Sequence, residues 1–293
     1  MAYSAADPVV MASQDGPPTT TDQPTWQHSS QDILLRFDNV SMTYSSKDGP
    51  VEAVQDLSLD VRSGEFLTIV GPSGCGKSTL LNLLVGLDQP SSGRILLAGK
   101  PSHEQRTSIG YVMQNDNLYP WRTLQENVEF PLELRKVDAD RRREISSDYL
   151  ARVKLSGFEK KFPHELSGGM RQRGNIVRAL CFSPDLLIMD EPFGPLDAQT
   201  RLLLQQQLLD LWRDERKTVI FITHDLQEAI GLGDRVLVMT ARPGRIKALH
   251  SVDIPRPRDL AHIHERQEFR ELLSQLGDQL ADEITTARRS PGA

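Results

Sequence analysis

The chain has 293 residues, 38% of them hydrophobic and 25% charged, a balance that fits an ordinary globular protein and excludes a fibrous or low-complexity one. Its net charge of −6 weighs against nucleic acid, whose phosphates select basic surfaces. Cys75 and Cys181 stand too far apart and are too few for a disulfide framework, and they suit a reducing compartment.

Residues 1–31 are rich in Ser, Thr, Gln, Asp and Pro and offer little to bury, so a disordered extension is expected there. The first basic side chain is Arg36, and a secretory leader would need one earlier. No apolar run nears the ~20 residues of a membrane-spanning helix, so any service to a membrane is expected to pass through another subunit. Short β-rich runs follow at 34–40, 57–61 and 66–70, the last ending in a glycine-rich turn. The stretch 77–87 reads as a helix, with Leu80, Leu81, Leu84 and Leu87 along one face. Further strands are expected at 94–98, 108–113, 186–190, 218–223 and 235–239, several apolar throughout, as strands covered on both faces of a parallel sheet must be. Helical periodicity lies between them, as at 202–211, and the alternation predicts an α/β sheet with right-handed crossovers. From about Asp116 to Leu166 charge and helical pattern replace the strands, which predicts an inserted helical subdomain over roughly 116–170. The end of the chain carries a helical stripe of Phe269, Leu272, Leu273, Leu276 and Leu280, open to packing on the domain or to a dimer or regulatory contact.

The turn after 66–70 reads Gly71, Pro72, Ser73, Gly74, Cys75, Gly76, Lys77, Ser78, Thr79, the pattern G-x-x-x-x-G-K-[ST] of a phosphate loop. Glycines let the backbone wrap a phosphate with consecutive N–H groups turned inward, and the helix starting near Lys77 adds its positive end. Lys77 supplies a charge for the β and γ phosphates of ATP, and the Ser78 hydroxyl is a hard ligand for Mg²⁺. Chance alone gives such a match in roughly one chain in a hundred of this size, and here it also lies between a predicted strand and a predicted helix. Cys75, beside Lys77 and a helix start, is expected to favour its thiolate and to react with maleimide. Asp190 closes the apolar run 186–189, at the sheet edge where α/β folds bind ligands, and can hold Mg²⁺ through water. The adjacent Glu191 can polarise an attacking water.

The segment Leu166-Ser-Gly-Gly-Met-Arg-Gln-Arg173 resembles the signature of ABC ATPases. Ser167 is a good N-cap, and Gly168 and Gly169 leave backbone donors open at a helix start, a second anion site. The resemblance runs from Leu34 to Asp253. It implies a P-loop NTPase core of RecA-like α/β type, with an antiparallel β subdomain and the inserted helices, over 32–255, followed by a helical tail over 256–293. It further implies a head-to-tail homodimer in which each signature meets the γ-phosphate held by the other subunit. By the same resemblance Tyr44 stacks on adenine, Gln114 reaches Mg²⁺ and the attacking water, Asp197 links the two sites, and His224 contacts the γ-phosphate. Read alone, Tyr44 is as well placed for core or surface, and His224 for surface.

Met170, common in one subgroup, joins Leu118–Thr123, Ala241–Ile246 and Ile254–Arg258 in resembling ATPase subunits of nitrate, taurine and aliphatic-sulfonate importers. That subgroup implies two integral-membrane permease subunits, an extracytoplasmic substrate-binding protein, and a peripheral place on the cytoplasmic face of the cell membrane. The alternative is a non-transport ABC ATPase acting on ribosomes or nucleic acid, which lacks here its usual tandem domains or coiled-coil insertions. Gly174, inside the signature helix at a cost of about 1 kcal/mol against alanine, and Pro195, where alanine is usual, depart from the pattern.

Overall fold

The computed structural model describes residues 33–47 and 49–289, so the extension expected over 1–31 lies outside the described residues. Four strands are apolar almost end to end: β3 (Phe66–Val70), β7 (Leu186–Asp190), β8 (Thr218–Ile222) and β9 (Arg235–Met239). Side chains alternate faces along a strand, and both faces of this sheet are covered. Phe66, Leu187, Phe221 and Val236 enter one hydrophobic cluster, while their neighbours Leu67, Ile188, Ile220 and Leu237 enter another on the opposite face. The six-stranded sheet runs β10-β9-β3-β8-β7-β6, with β6 at Ile109–Val112. All its pairs are parallel except that of β10 (Ile246–Ser251), an antiparallel edge strand with no apolar run to announce it.

A separate four-stranded antiparallel sheet runs β2-β1-β4-β5, built from β1 (Ile33–Ser46), β2 (Gly49–Arg62), β4 (Ser92–Leu97) and β5 (Lys100–Pro101). Its inner face, through Phe37, Leu57 and Leu59, shares the second cluster with α1 (Lys77–Leu84). The helix stops three residues short of the predicted end. Val85 and Gly86 close its last turn, and Leu87 is 70% exposed rather than on the buried face.

Between β6 and β7 lie α2 (Leu124–Leu134), α3 (Ala139–Arg152) and α4 (Gly168–Leu180), packed together through Val128, Leu150 and Val177 in the first cluster. Thr123 starts α2 with a capping box to Glu126, and Asp138 caps α3. Two further helices, α5 (Ala198–Glu215) and α6 (Leu226–Leu232), cover the same face of the parallel sheet. The final helix, α7 (Gln267–Arg289), buries Phe269 and Leu276 in that cluster and tucks Leu272, Leu273 and Leu280 against it. The stripe therefore packs on its own domain.

Candidate active site

The phosphate loop joins β3 to α1, and Gly76 stands at the helix N-cap with φ 96°. A Cβ there would lie 2.7 Å from the Ala53 carbonyl oxygen, so the loop can pass this point only as glycine. Lys77 folds back across the loop, its Nζ donating to the carbonyls of Gly71 at 2.8 Å and Pro72 at 3.0 Å. Ser73 and Gly74 are exposed at the tip, and Ser78 and Thr79 open the helix. Tyr44, half-buried on β1, donates its hydroxyl to Asp88 at 2.8 Å, and this carboxylate together with burial raises its pKa.

One expectation is overturned here. Cys75 is 1% exposed, and burial pushes its thiol up more than Lys77, with Nζ 3.7 Å from Sγ, pulls it down. The side chain belongs to the second hydrophobic cluster, leaving only the backbone of this residue to line the loop.

Asp190 and Glu191 end β7 beside the loop. Burial, with the charge of Glu191, raises the Asp190 carboxyl, and Lys77 offsets part of that rise. Glu191 takes φ 45°, a left-handed conformation that costs a non-glycine residue about 1 kcal/mol or more and concentrates at working sites. Its N–H donates to the Ile222 carbonyl at 2.9 Å, pinning the turn to the neighbouring strand. Its Oε2 lies 3.0 Å from Nδ1 of His224. A carboxylate oxygen accepts, so Nδ1 carries a proton in this contact. His224 is the exposed partner, with 69% of its side chain accessible against 23% for Glu191.

Gln114 is exposed just after β6, and its amide lies by Gly194, in the turn that leads to Asp197. Asp197 caps α5, accepting from the N–H groups of Gln199 at 3.1 Å and Thr200 at 3.0 Å, which lower its pKa. Ser167 caps α4 by accepting from the Met170 N–H at 3.3 Å. Ser167 and Gly168 are exposed, while a Cβ on Gly169 would meet Thr200 of α5 at 2.7 Å. The start of α4 is therefore open at Ser167 and Gly168, on an element separate in sequence from the loop at Gly71–Thr79. Gly174 also gains a reason, since a Cβ there would stand 2.6 Å from Leu124. Nothing in the structure explains Pro195.

Arginines of α4 hold these pieces together. Arg171 of α4 donates to Asp116 at 2.8 Å and to the Leu166 carbonyl at 2.7 Å, and Arg178 donates to the Asn117 carbonyl at 2.8 Å. The signature helix therefore grips the segment that follows Gln114. The partners lie 55 and 61 residues apart, and Asn117 contributes only a main-chain carbonyl, so no local pattern announced the contact.

A phosphate loop at the carboxyl edge of a parallel sheet, with a carboxylate pair closing the neighbouring strand, defines a P-loop nucleotide hydrolase. The helical insertion, with α4 opening on exposed Ser167 and Gly168, narrows that class. Residues 54–194 match the family model described as ABC transporter. The chain is 45% identical over 252 residues to an uncharacterised ABC transporter ATP-binding protein of Methanocaldococcus jannaschii, covering 86% of this chain and 93% of that one. It is 45% identical over 205 residues to the aliphatic sulfonates import ATP-binding protein SsuB of Bacillus licheniformis, covering 70% and 79%. A solved dimeric structure of an ATP-binding cassette in a post-hydrolysis state, bound to ADP and Pi, is similar at TM-score 0.66 and 31% identity, over 76% of this chain and all of that one. The chain belongs to the ABC transporter ATP-binding family and is an ABC-type ATPase.

Proposed function

We propose that this ATPase drives an importer for a small sulfonate-type solute, working as a pair of identical cassettes beneath two integral-membrane permease subunits. The place this implies is peripheral, on the cytoplasmic face of the cell membrane, with an extracytoplasmic protein delivering the solute. Similarity to a relative named for aliphatic sulfonate import supports the cargo class. The observation that carries the motor reading is the Glu191–His224 contact at 3.0 Å beside the phosphate loop.

In this reading the loop amides and Lys77 hold the phosphates of ATP, and Tyr44 lies against adenine. The donor set of Ser78, Asp190 and Gln114 is all oxygen ligands, which fits Mg²⁺. When bound, Mg²⁺ neutralises charge on the β and γ phosphates. Glu191 draws a proton from the attacking water, and His224, protonated on both ring nitrogens, donates from Nε2 to the γ-phosphate. Ser167, Gly168 and Gly169 present their donors to the nucleotide held by the partner cassette, and Asp197 joins the two sites across the pair.

The permease contact falls at the junction after Gln114. Tyr119 stacks edge-on to Phe130 with centroids 4.9 Å apart, and Trp121 beside it is 71% exposed. An accessible aromatic on a packed aromatic base suits a docking anchor for a short helix of the membrane subunit. Trp121→Ala is expected to lose co-purification with the permease and ATP-dependent uptake of an alkanesulfonate into proteoliposomes, while the isolated subunit still binds ATP. Full assembly by the variant would contradict the docking site, and ATP turnover without sulfonate uptake by wild type would contradict the cargo.

A further inference from the structure

His224 is followed directly by Asp225, the N-cap of α6, so whatever fixes the start of that helix also fixes the imidazole. Asp225 Oδ1 accepts from the N–H groups of Gln227 at 2.8 Å and Glu228 at 3.2 Å, and its own N–H donates to Thr223 Oγ1 at 3.0 Å. Glu228, in the first turn, is 7% exposed. Its Oε1 accepts from Gln205 Nε2 of α5 at 2.8 Å, and its carboxylate also bonds Thr223. On the same face of α5, Arg201 donates to the Leu196 carbonyl at 2.9 Å and lies 3.8 Å from the Asp225 carboxylate. A buried polar cluster thus ties the turn of Leu196 and Asp197 to the turn that carries His224.

Glu228 stands in the wall between two openings. One is a small cleft that Glu191 and His224 also line, and the other is a cavity of about 480 Å³ closed by Leu260 and Phe269 of the chain's end. Among the described residues no cation is hydrogen-bonded to this carboxylate, and burial pushes it up to about 6, against the hydrogen bonds that pull it down. An ionised group held at such a cost is weak as a stabiliser, and perturbed carboxyls of this kind gather at functional sites.

We propose that Glu228 is a positioning residue for His224, its ionised carboxylate gripping Gln205 and Thr223 so that the imidazole is held to Glu191. The inference rests on the reading of Glu191 and His224 as the hydrolytic pair. A proton on Glu228 leaves only one of its two oxygens as an acceptor, so the links to Gln205 and Thr223 can no longer both hold. The charged and titratable groups facing it are Arg201 from α5, Asp225 and His224 from the turn, Glu191 from the end of β7 and His264 across the larger cavity.

The test is the pH profile of MgATP turnover by the full chain from pH 5 to 8.5. Wild type is expected to lose kcat as Glu228 protonates near pH 6. Glu228→Gln should lack that acid limb and run about fivefold slower at pH 8, the rate equivalent of one hydrogen bond, with KM for ATP unchanged. Gln205→Leu should move the limb to higher pH, because the carboxylate loses a donor, a shift that titration of His224 alone would not give. Melting supplies an arm free of turnover. A folded pKa raised above its unfolded value favours the protein below 4.5 and costs it stability as pH rises through about 6, so Glu228→Gln should melt higher than wild type at pH 8, the gap closing as the pH falls towards 4.5. Full-speed Glu228→Gln with the limb in place would overturn the inference while leaving the ATPase reading intact. Wild type inert toward MgATP at every pH would overturn both.

Discussion

Cys75 illustrates how a loop can hold a thiol among phosphate ligands and still leave it inert. Its neighbours favour the thiolate, but at 1% exposure the cost of burying charge exceeds what Lys77 returns. Cys181 is likewise buried and pushed up to about 12. Maleimide is therefore expected to leave both thiols of the native protein unmodified over minutes and to label both once it is unfolded in denaturant. Rapid modification that ATP blocks would restore an open, reactive loop. The residue types of the site were legible because phosphate, metal and water each demand particular donors at fixed spacing. The pairing of Glu191 with His224 was within reach too, since both follow the ends of strands that prove to be neighbours, β7 and β8. Depth was not legible, because nothing in the local sequence tells a loop cysteine lining a ligand from one turned into the core. Glu228 escaped for a related reason, as one carboxylate in the first turn of a helix looks like any solvated one.

At the scale of elements, the strands of the parallel sheet stood out since burial on two faces forces continuous apolar runs. β10 did not, because an antiparallel edge strand half-exposed along its length needs no such run. The overlong expectation for α1 has the same origin. Leu87 keeps the helical spacing, but the chain turns away at Val85 and Gly86 before it arrives. The segment Ile254–Arg258 carries a subgroup resemblance, and in the structure it anchors the chain's end. Arg258, 5% exposed, donates to the carbonyls of Ile230, Gly231 and Gly233 at the end of α6 and to those of Val252 and Ile254. Its burial lowers its pKa to about 9, while its hydrogen bonds supply donors to carbonyls where α6 ends. Gly174 is the sharpest test of element packing. A side chain there would gain roughly 1 kcal/mol at most in helix propensity, whereas overpacking against wholly buried Leu124 costs about 1–3 kcal/mol. The second term wins, so Gly174→Val should lower the melting temperature by several degrees. A variant that melts as high as wild type would mean that α2 and α4 do not pack this closely.

For the molecule as a whole, the proposed pairing requires the start of α4 to complete the phosphate loop of a second chain. Ser167 and Gly168 are exposed at the start of α4, as that pairing needs. Closure around nucleotide is then a matter of differential binding, with ATP favouring the closed pair and its hydrolysis releasing it. Glu191→Gln keeps size and hydrogen bonding but removes the charge and the proton acceptor. Hydrolysis should fall by ~10²–10⁴-fold, the usual worth of a positioned general base. Binding should persist, because Lys77, the loop amides and Ser78 are untouched, and the lost repulsion toward the γ-phosphate favours closure. Ser167→Arg adds bulk at an exposed cap and should cost about 1 kcal/mol of stability while blocking the partner's phosphate. Size-exclusion chromatography of Glu191→Gln with MgATP is the most direct measurement. The account predicts a dimer for this variant, a monomer for wild type under the same conditions, and a monomer again when Ser167→Arg is added. A Glu191→Gln protein that binds MgATP yet remains monomeric, or that hydrolyses ATP at the wild-type rate, would contradict it.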